Sequence, residues 1–188
     1  MTRPALFLDR DGVINVDRGY VHRAEEIEFV EGIFDLVRAA AEFGYLVVVI
    51  TNQAGIGRGY YSQADFHRLM DWIAAQFIDR QCRIDAVYFS PFHPEHGLGE
   101  YRRHSDCRKP APGMLLRAQR ELDIDLANSI LIGDKQSDIE AGIAAGVGVV
   151  LGLGLDSELT QKKWHTLPSL HDAHNYFARI SENSMAGR

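Results

Sequence analysis

Apolar runs and amphipathic segments alternate along this chain. The first run, Ala5-Leu6-Phe7-Leu8, is apolar up to the carboxylate of Asp9 and predicts a buried strand over 5–9. Over 31–43, Ile33, Leu36, Val37 and Ala40 recur at helical spacing, and Gly44 stands where a helix C-terminus is capped. The run 45–51, rich in β-branched residues, predicts a parallel strand covered on both faces. Strand, helix and strand in that order make a parallel crossover unit. Ser62 can cap the next helix, whose stripe of Phe66, Leu69, Met70, Ile73 and Phe77 belongs in a core. Further strands are expected over 84–89, 129–132 and 147–151, and helices over 114–122 and 138–145. A last helix over 169–180 would carry Leu170, Ala173, Phe177 and Ile180 on one face. Residues 90–106 show no period and are rich in Pro, Gly and His, which marks a long loop or insertion. Residues 181–188 read as a loose tail, leaving one domain over 1–180 without internal repeat or linker.

This alternation implies an α/β fold of three layers, with a central parallel sheet and helices on both faces. Ligands of such sheets bind at the carboxyl ends of the strands. Three predicted strands end there in polar clusters: Asp9 with Asp11, Thr51 with Asn52, and Asp134 with Asp138. Lys109 sits in a loop that can return to the same edge. Asp9 and Asp11 are two positions apart and lean to one side, and Gly12 lets the chain turn away. Two adjacent carboxylates repel, so their pairing makes sense around a divalent cation. The Thr51 hydroxyl and the N–H groups after it can hold phosphate oxygens, although alone this stretch also fits an ordinary strand-to-helix loop.

Composition narrows the partner. The 188 residues, 46% apolar and 24% charged, suit one soluble packed domain, and the net charge of -6 disfavours a nucleic-acid partner. No run is long enough to span a membrane, no signal-peptide pattern opens the chain, and Cys82 and Cys107 make no disulfide framework, so a cytoplasmic protein without membrane partner is expected. Arg10, Arg18, Arg108, Lys109 and Lys135 gather around the acidic clusters against the overall sign, which suits a small phosphorylated substrate.

In order and spacing, Asp9-Arg10-Asp11-Gly12-Val13, Thr51, Lys109 and Asp134 with Asp138 resemble the four motifs of the haloacid-dehalogenase-like (HAD) phosphatases, a Rossmann-like fold. Asn15 to His22, Thr51 to Gly59, Cys107-Arg108-Lys109-Pro110 and Gly133-Asp134-Lys135 are similar to the branch acting on D-glycero-D-manno-heptose 1,7-bisphosphate, with histidinol-phosphate phosphatases as its sister group. The resemblance covers residues 5–151 and implies a cytosolic phosphatase that removes the C7 phosphate in nucleotide-activated heptose synthesis for surface polysaccharide. The alternatives are histidinol-phosphate hydrolysis and a catalytically silent sugar-phosphate-binding protein; the intact set of five motif residues argues against the last. Asp9 would be the nucleophile and Asp11 the acid/base. Asp9, Asp134 and the backbone carbonyl of Asp11 would hold Mg2+, and Thr51, Asn52 and Lys109 would hold the phosphoryl oxygens. Asp17, Arg18, Gly19, Tyr20, Gln53, Ala54, Arg108 and Lys135 would contact the substrate. Arg58 either meets a far phosphate or is a solvated loop arginine. Neither the stretch after Asn15 nor that after Thr51 is long enough for a large cap domain, and a monomer is expected. Many relatives bind a structural zinc through Cys-x-His and Cys-x-Cys; here Ser90, Phe92 and Ser105 replace three ligands and only Cys107 remains, so zinc is expected to be absent. A set of Cys107, His93, His96 and His104 stands open beside plain solvated histidines. Phe92, Leu98 and Tyr101 are the expected apolar anchor of the loop.

Overall fold

The computed structural model describes residues 2–155, 163–173 and 176–177. Its elements run β1 (Ala5–Leu8), α1 (Ile33–Glu42), β2 (Leu46–Asn52), the single turn α2 (Ala54–Gly57), α3 (Gln63–Ile78), β3 (Ala86–Ser90), α4 (Gly113–Leu122), β4 (Ile130–Gly133), α5 (Gln136–Ala145), β5 (Val149–Leu153) and β6 (His165–Leu167). The six strands form one sheet in the order β3-β2-β1-β4-β5-β6, and all pairs are parallel. β1 lies between β2 and β4, with Phe7 opposite Val48 on one side and Leu131 on the other.

Period-two alternation divides the core between the faces. Leu6, Leu8, Val47, Val49, Ile130 and Ile132 point into the cluster that also holds Leu36 and Val37 of α1 and Phe66, Ile73 and Phe77 of α3. Phe7, Val48, Ile50 and Leu131 point the other way, against Met114, Leu115 and Ala118 of α4 and Ile139 of α5. The central strands have no solvated face, which is why they read as unbroken apolar runs. Ser62 caps α3 by accepting from the Asp65 N–H at 3.1 Å, and Gly44 (φ 81) follows α1 as expected. Among the described residues no helix is long and apolar enough to cross a membrane.

Two expectations need correction. β6 was not foreseen: three residues with His165 and Thr166 exposed carry too little pattern to be read as a strand. In place of the start of a helix over 169–180 there is a short 3₁₀ turn, Leu170–Ala173. Leu170, Ala173 and Phe177 are buried as the apolar face required, while 174–175, 178–180 and the tail 181–188 lie outside the described residues.

Candidate active site

Strand order reverses its direction of growth at β1, so the carboxyl ends of β1, β2 and β4 border one crevice. A cavity of about 640 Å³ opens there, lined by Asp9, Asp11, Thr51, Lys109, Arg108 and Lys135 among others. Asp9 follows β1 and is 5% exposed; its Oδ1 accepts from the Arg10 N–H at 2.7 Å and lies 3.0 Å from Lys109 Nζ. Lys109 Nζ also meets Asp138 Oδ1 at 2.6 Å and donates to the Ile50 carbonyl at 2.9 Å. Burial alone would lower this lysine's pKa, but the carboxylates of Asp9 and Asp138 outweigh it and hold the pKa above the usual value.

Carboxylate oxygens of Asp9, Asp134 and Asp138 all lie within 4.8 Å of one another. Burial pushes Asp134 up to about 7 and also raises Asp138, with Asp9 adding repulsion in both cases. Asp134 Oδ1 is buried and has no hydrogen-bond partner. Gly12 (φ +94) makes this approach possible, because a Cβ there would stand 2.1 Å from Asp134 Oδ2. Lys135 Nζ lies 3.7 Å from Asp134 Oδ2 and 2.8 Å from Asp17 Oδ2. Burial opposes this charge too, but the Asp17 and Asp134 carboxylates raise Lys135; at Asp17 burial is the largest single influence and acts upward, and the Lys135 bond and charge, the Gly19 N–H and the Arg10 charge together overcome it and lower the pKa.

Several residues face differently from the sequence expectation. Arg10 is fully buried and points away from the crevice: its guanidinium donates to Asp11 Oδ2 at 2.6 and 3.1 Å and to the Val21 carbonyl at 2.9 Å. Arg18 does not line the cavity; it is exposed and pairs with Glu28. The Asn52 amide clasps the Lys109 peptide, donating to its carbonyl at 3.0 Å and accepting from its N–H at 3.1 Å. The Gln53 amide is likewise turned into protein, 1% exposed. Gly19, Tyr20 and Ala54 do line the cavity. Tyr61 was missed as a site component, and Arg10, expected among the basic residues facing the substrate, is instead buried behind Asp11.

Arg108 lines the cavity and donates to the Phe92 carbonyl at 3.0 Å; Arg58, outside the lining, lies over the ring of the lining residue Tyr20, 5.7 Å from its centroid. Burial and then the Arg58 charge lower the Arg108 pKa, while burial, Arg108 and Arg58 act the same way on His93. In the loop 90–106, Phe92 packs near Tyr101 at 6.0 Å, but Leu98 is 62% exposed and does not join the expected anchor. Arg103 covers Phe92 instead, 4.2 Å from the ring centroid. His93, His96, His104 and Cys107 do not converge: among the described residues, the metal-binding geometry falls on Asp9, Asp134 and Asp138.

Comparison with known proteins shows the family and the fold. Residues 106–172 match the HAD-hydrolase-like family model. A D-glycero-alpha-D-manno-heptose-1,7-bisphosphate 7-phosphatase of Burkholderia mallei is 58% identical over 80% of each chain. The D-glycero-beta-D-manno-heptose-1,7-bisphosphate 7-phosphatase of Vibrio cholerae is 44% identical over 97% of this chain and 100% of that one. Among solved structures, a HAD-like phosphatase from Mesorhizobium loti superposes with a TM-score of 0.88 at 32% identity, over 95% of this chain and 88% of that one. The D,D-heptose 1,7-bisphosphate phosphatase of B. bronchiseptica, complexed with magnesium and phosphate, gives 0.80 at 25% identity over 94% and 98%. The chain belongs to the D-glycero-D-manno-heptose-1,7-bisphosphate 7-phosphatase family of HAD-like hydrolases.

Proposed function

We propose that this protein hydrolyses the C7 phosphate of a D-glycero-D-manno-heptose 1,7-bisphosphate through an aspartyl-phosphate on Asp9. The observation that carries the reading is the acidic cluster of Asp9, Asp134 and Asp138, paired with Lys109, where Asp9 and Lys109 open into a cavity that Arg108 and Lys135 also line. The donor set fits a divalent cation: three carboxylates converge, one buried oxygen of Asp134 is unpartnered, and oxygen-only ligation suits Mg2+. Asp9, Asp134 and the Asp11 carbonyl would hold it, and it would offset the charge between carboxylate and phosphate.

The Asp9 carboxylate attacks phosphorus; its O–P bond forms as the P–O bond to C7 breaks. Asp11 gives its proton to the departing sugar oxygen, then takes one from the water that attacks the aspartyl-phosphate, and phosphate leaves as Asp9 is restored. Lys109, beside Asp9 Oδ1, places a positive charge where the transferring group gathers negative charge. Arg108 and Arg58 suit the second phosphate, since Arg58 Nε is buried without a hydrogen-bond partner. A doubly phosphorylated sugar does not cross a membrane unaided, so the reading places the enzyme in the cytoplasm. The loop 90–106 is read as zinc-free: Ser105 Oγ lies 3.0 Å and Ser90 Oγ 3.5 Å from Cys107 Sγ, a polar cluster at the positions of the family ligands.

The deciding experiment is initial phosphate release in Mg2+ from both anomers of the heptose bisphosphate and from histidinol phosphate. Rapid release from a heptose anomer is expected. Preference for histidinol phosphate would overturn the substrate and keep the chemistry; no release from any, with folded protein, would leave a binding protein.

A further inference from the structure

Asp11 is held unequally at its two oxygens. Oδ2 faces three N–H donors: Arg10 Nη2 at 2.6 Å, Arg10 Nε at 3.1 Å and Gln53 Nε2 at 3.1 Å. Oδ1 takes one, from Asn15 Nδ2 at 3.1 Å. An oxygen surrounded by three donors has no room for a proton of its own, so a neutral Asp11 must carry its proton on Oδ1.

The direction of the Gln53 amide is fixed from behind. Its Oε1 accepts from Tyr61 Oη at 2.6 Å and from Arg10 Nη2 at 3.1 Å. A guanidinium offers only donors, so Oε1 must face it and Nε2 must face forward. Nε2 then donates to Asp11 Oδ2 and also to Thr51 Oγ1, the latter at 2.8 Å. A Thr51 oxygen already accepting from the amide has its own hydroxyl proton free to point elsewhere, and Thr51 lines the cavity. Tyr61 is itself fixed: its ring stacks on His22 at 5.0 Å and 4°, and it occupies the space where a Cβ on Gly55 would stand 2.2 Å from Cε1.

Resting on the phosphatase reading above, we propose that Gln53 and Tyr61, with the buried Arg10, are positioning residues that set two proton directions at once. They make Asp11 Oδ1 the oxygen that gives and takes the proton, and they make Thr51 a donor into the cavity. Gln53 therefore acts through Asp11 and Thr51, and its side chain does not recognise the sugar. Arg10 is a poor test, because its removal leaves the Asp11 charge buried and unpaired.

Gln53→Leu and Tyr61→Phe are compared with the full-length wild type in Mg2+, on heptose 1,7-bisphosphate and on p-nitrophenyl phosphate, whose leaving group departs without a proton. Gln53→Leu is expected to lower kcat/KM for the sugar bisphosphate about 30-fold or more, with kcat falling more than KM rises. The loss on p-nitrophenyl phosphate should stay within about fivefold: acid help to the leaving oxygen is not needed there, and the loss that remains reports the Thr51 hydroxyl, which serves both substrates. Tyr61→Phe, which leaves Arg10 on Oε1, should show the same selectivity at about a third of the logarithmic size. Equal losses on both substrates, in variants with wild-type melting temperature, would overturn the inference in favour of a structural role. A loss confined to KM for the sugar would overturn it in favour of direct recognition. A folded wild type inactive on both compounds would instead overturn the phosphatase reading, and the inference with it.

Discussion

At the scale of single residues, function here is a matter of charges kept close together and largely buried. Asp9 has both its hydrogen bond and its lysine contact on Oδ1. Asp9→Asn removes the attacking charge while keeping shape, so phosphate release should fall at least about a thousandfold with the melting temperature retained. Turnover near wild type in that variant would remove Asp9 from the role of nucleophile. Asp134 presents the opposite case. Burial pushes it up to about 7, so its ionised form burdens the fold when no cation is bound. Asp134→Asn should therefore stabilise the chelated protein by about 2 kcal/mol near pH ~8, less than the full shift implies because the group is partly open to solvent. The same variant should lose activity and the rise in melting temperature that Mg2+ gives the wild type. Denaturant titrations with and without Mg2+ measure both effects, and an unchanged Mg2+ response would exclude Asp134 as a ligand. The acids were legible in the sequence because each ends an apolar run. Arg10 was not: a charged residue is ordinarily exposed, and only the structure shows that Asp11, Val21 and Gln53 satisfy it in the interior.

Elements bring these residues together through glycines at strand ends. Gly12 follows β1 with φ +94 and Gly133 closes β4, where a Cβ would stand 2.1 Å from the Asp138 Cβ. Gly12→Ala would strain the turn and push Asp134 away, so the apparent Mg2+ affinity should drop about tenfold or more while β1 stays in the sheet. Activity measured against Mg2+ concentration reads this directly, and an unchanged Mg2+ midpoint would show that the acids do not need this close approach. The strand–helix alternation and the division of the core were readable because the central strands are apolar and the helices amphipathic. The loop 90–106 was not, because its order comes from scattered contacts: Arg103 over Phe92, Arg108 on the Phe92 carbonyl, and the thiol of Cys107 between Ser90 and Ser105. The zinc-free reading of this loop is open to direct test. A zinc-selective chelator, added with Mg2+ in excess, should leave melting temperature and activity unchanged, whereas a fall in either would show a bound metal ion.

Over the whole molecule, a net charge of -6 must still admit an anionic substrate. The acids of the site are offset by Lys109 and Lys135, whereas Arg108 and His93 of the cavity lining feel each other and the charge of Arg58 behind Tyr20. Crowded cations stay stable if water or a ligand screens them, and a ligand bearing two phosphates would set one at Asp9 and the other toward this cationic group. The sequence left Arg58 open between a far-phosphate contact and a solvated loop; its buried Nε and its place over Tyr20 favour the first. Removing this charge should therefore weaken binding only for substrates that carry the second phosphate. Arg58→Ala is expected to raise KM for the heptose bisphosphate about tenfold, the value of one charge-assisted hydrogen bond, with kcat nearly unchanged. For p-nitrophenyl phosphate, which has no second phosphate to place, KM should change less than about twofold. Added salt should narrow the difference between wild type and variant, because the lost interaction is between charges partly open to solvent. An equal rise in both KM values would mean that Arg58 shapes the cavity as a whole, and no rise in either would return it to the solvated loop.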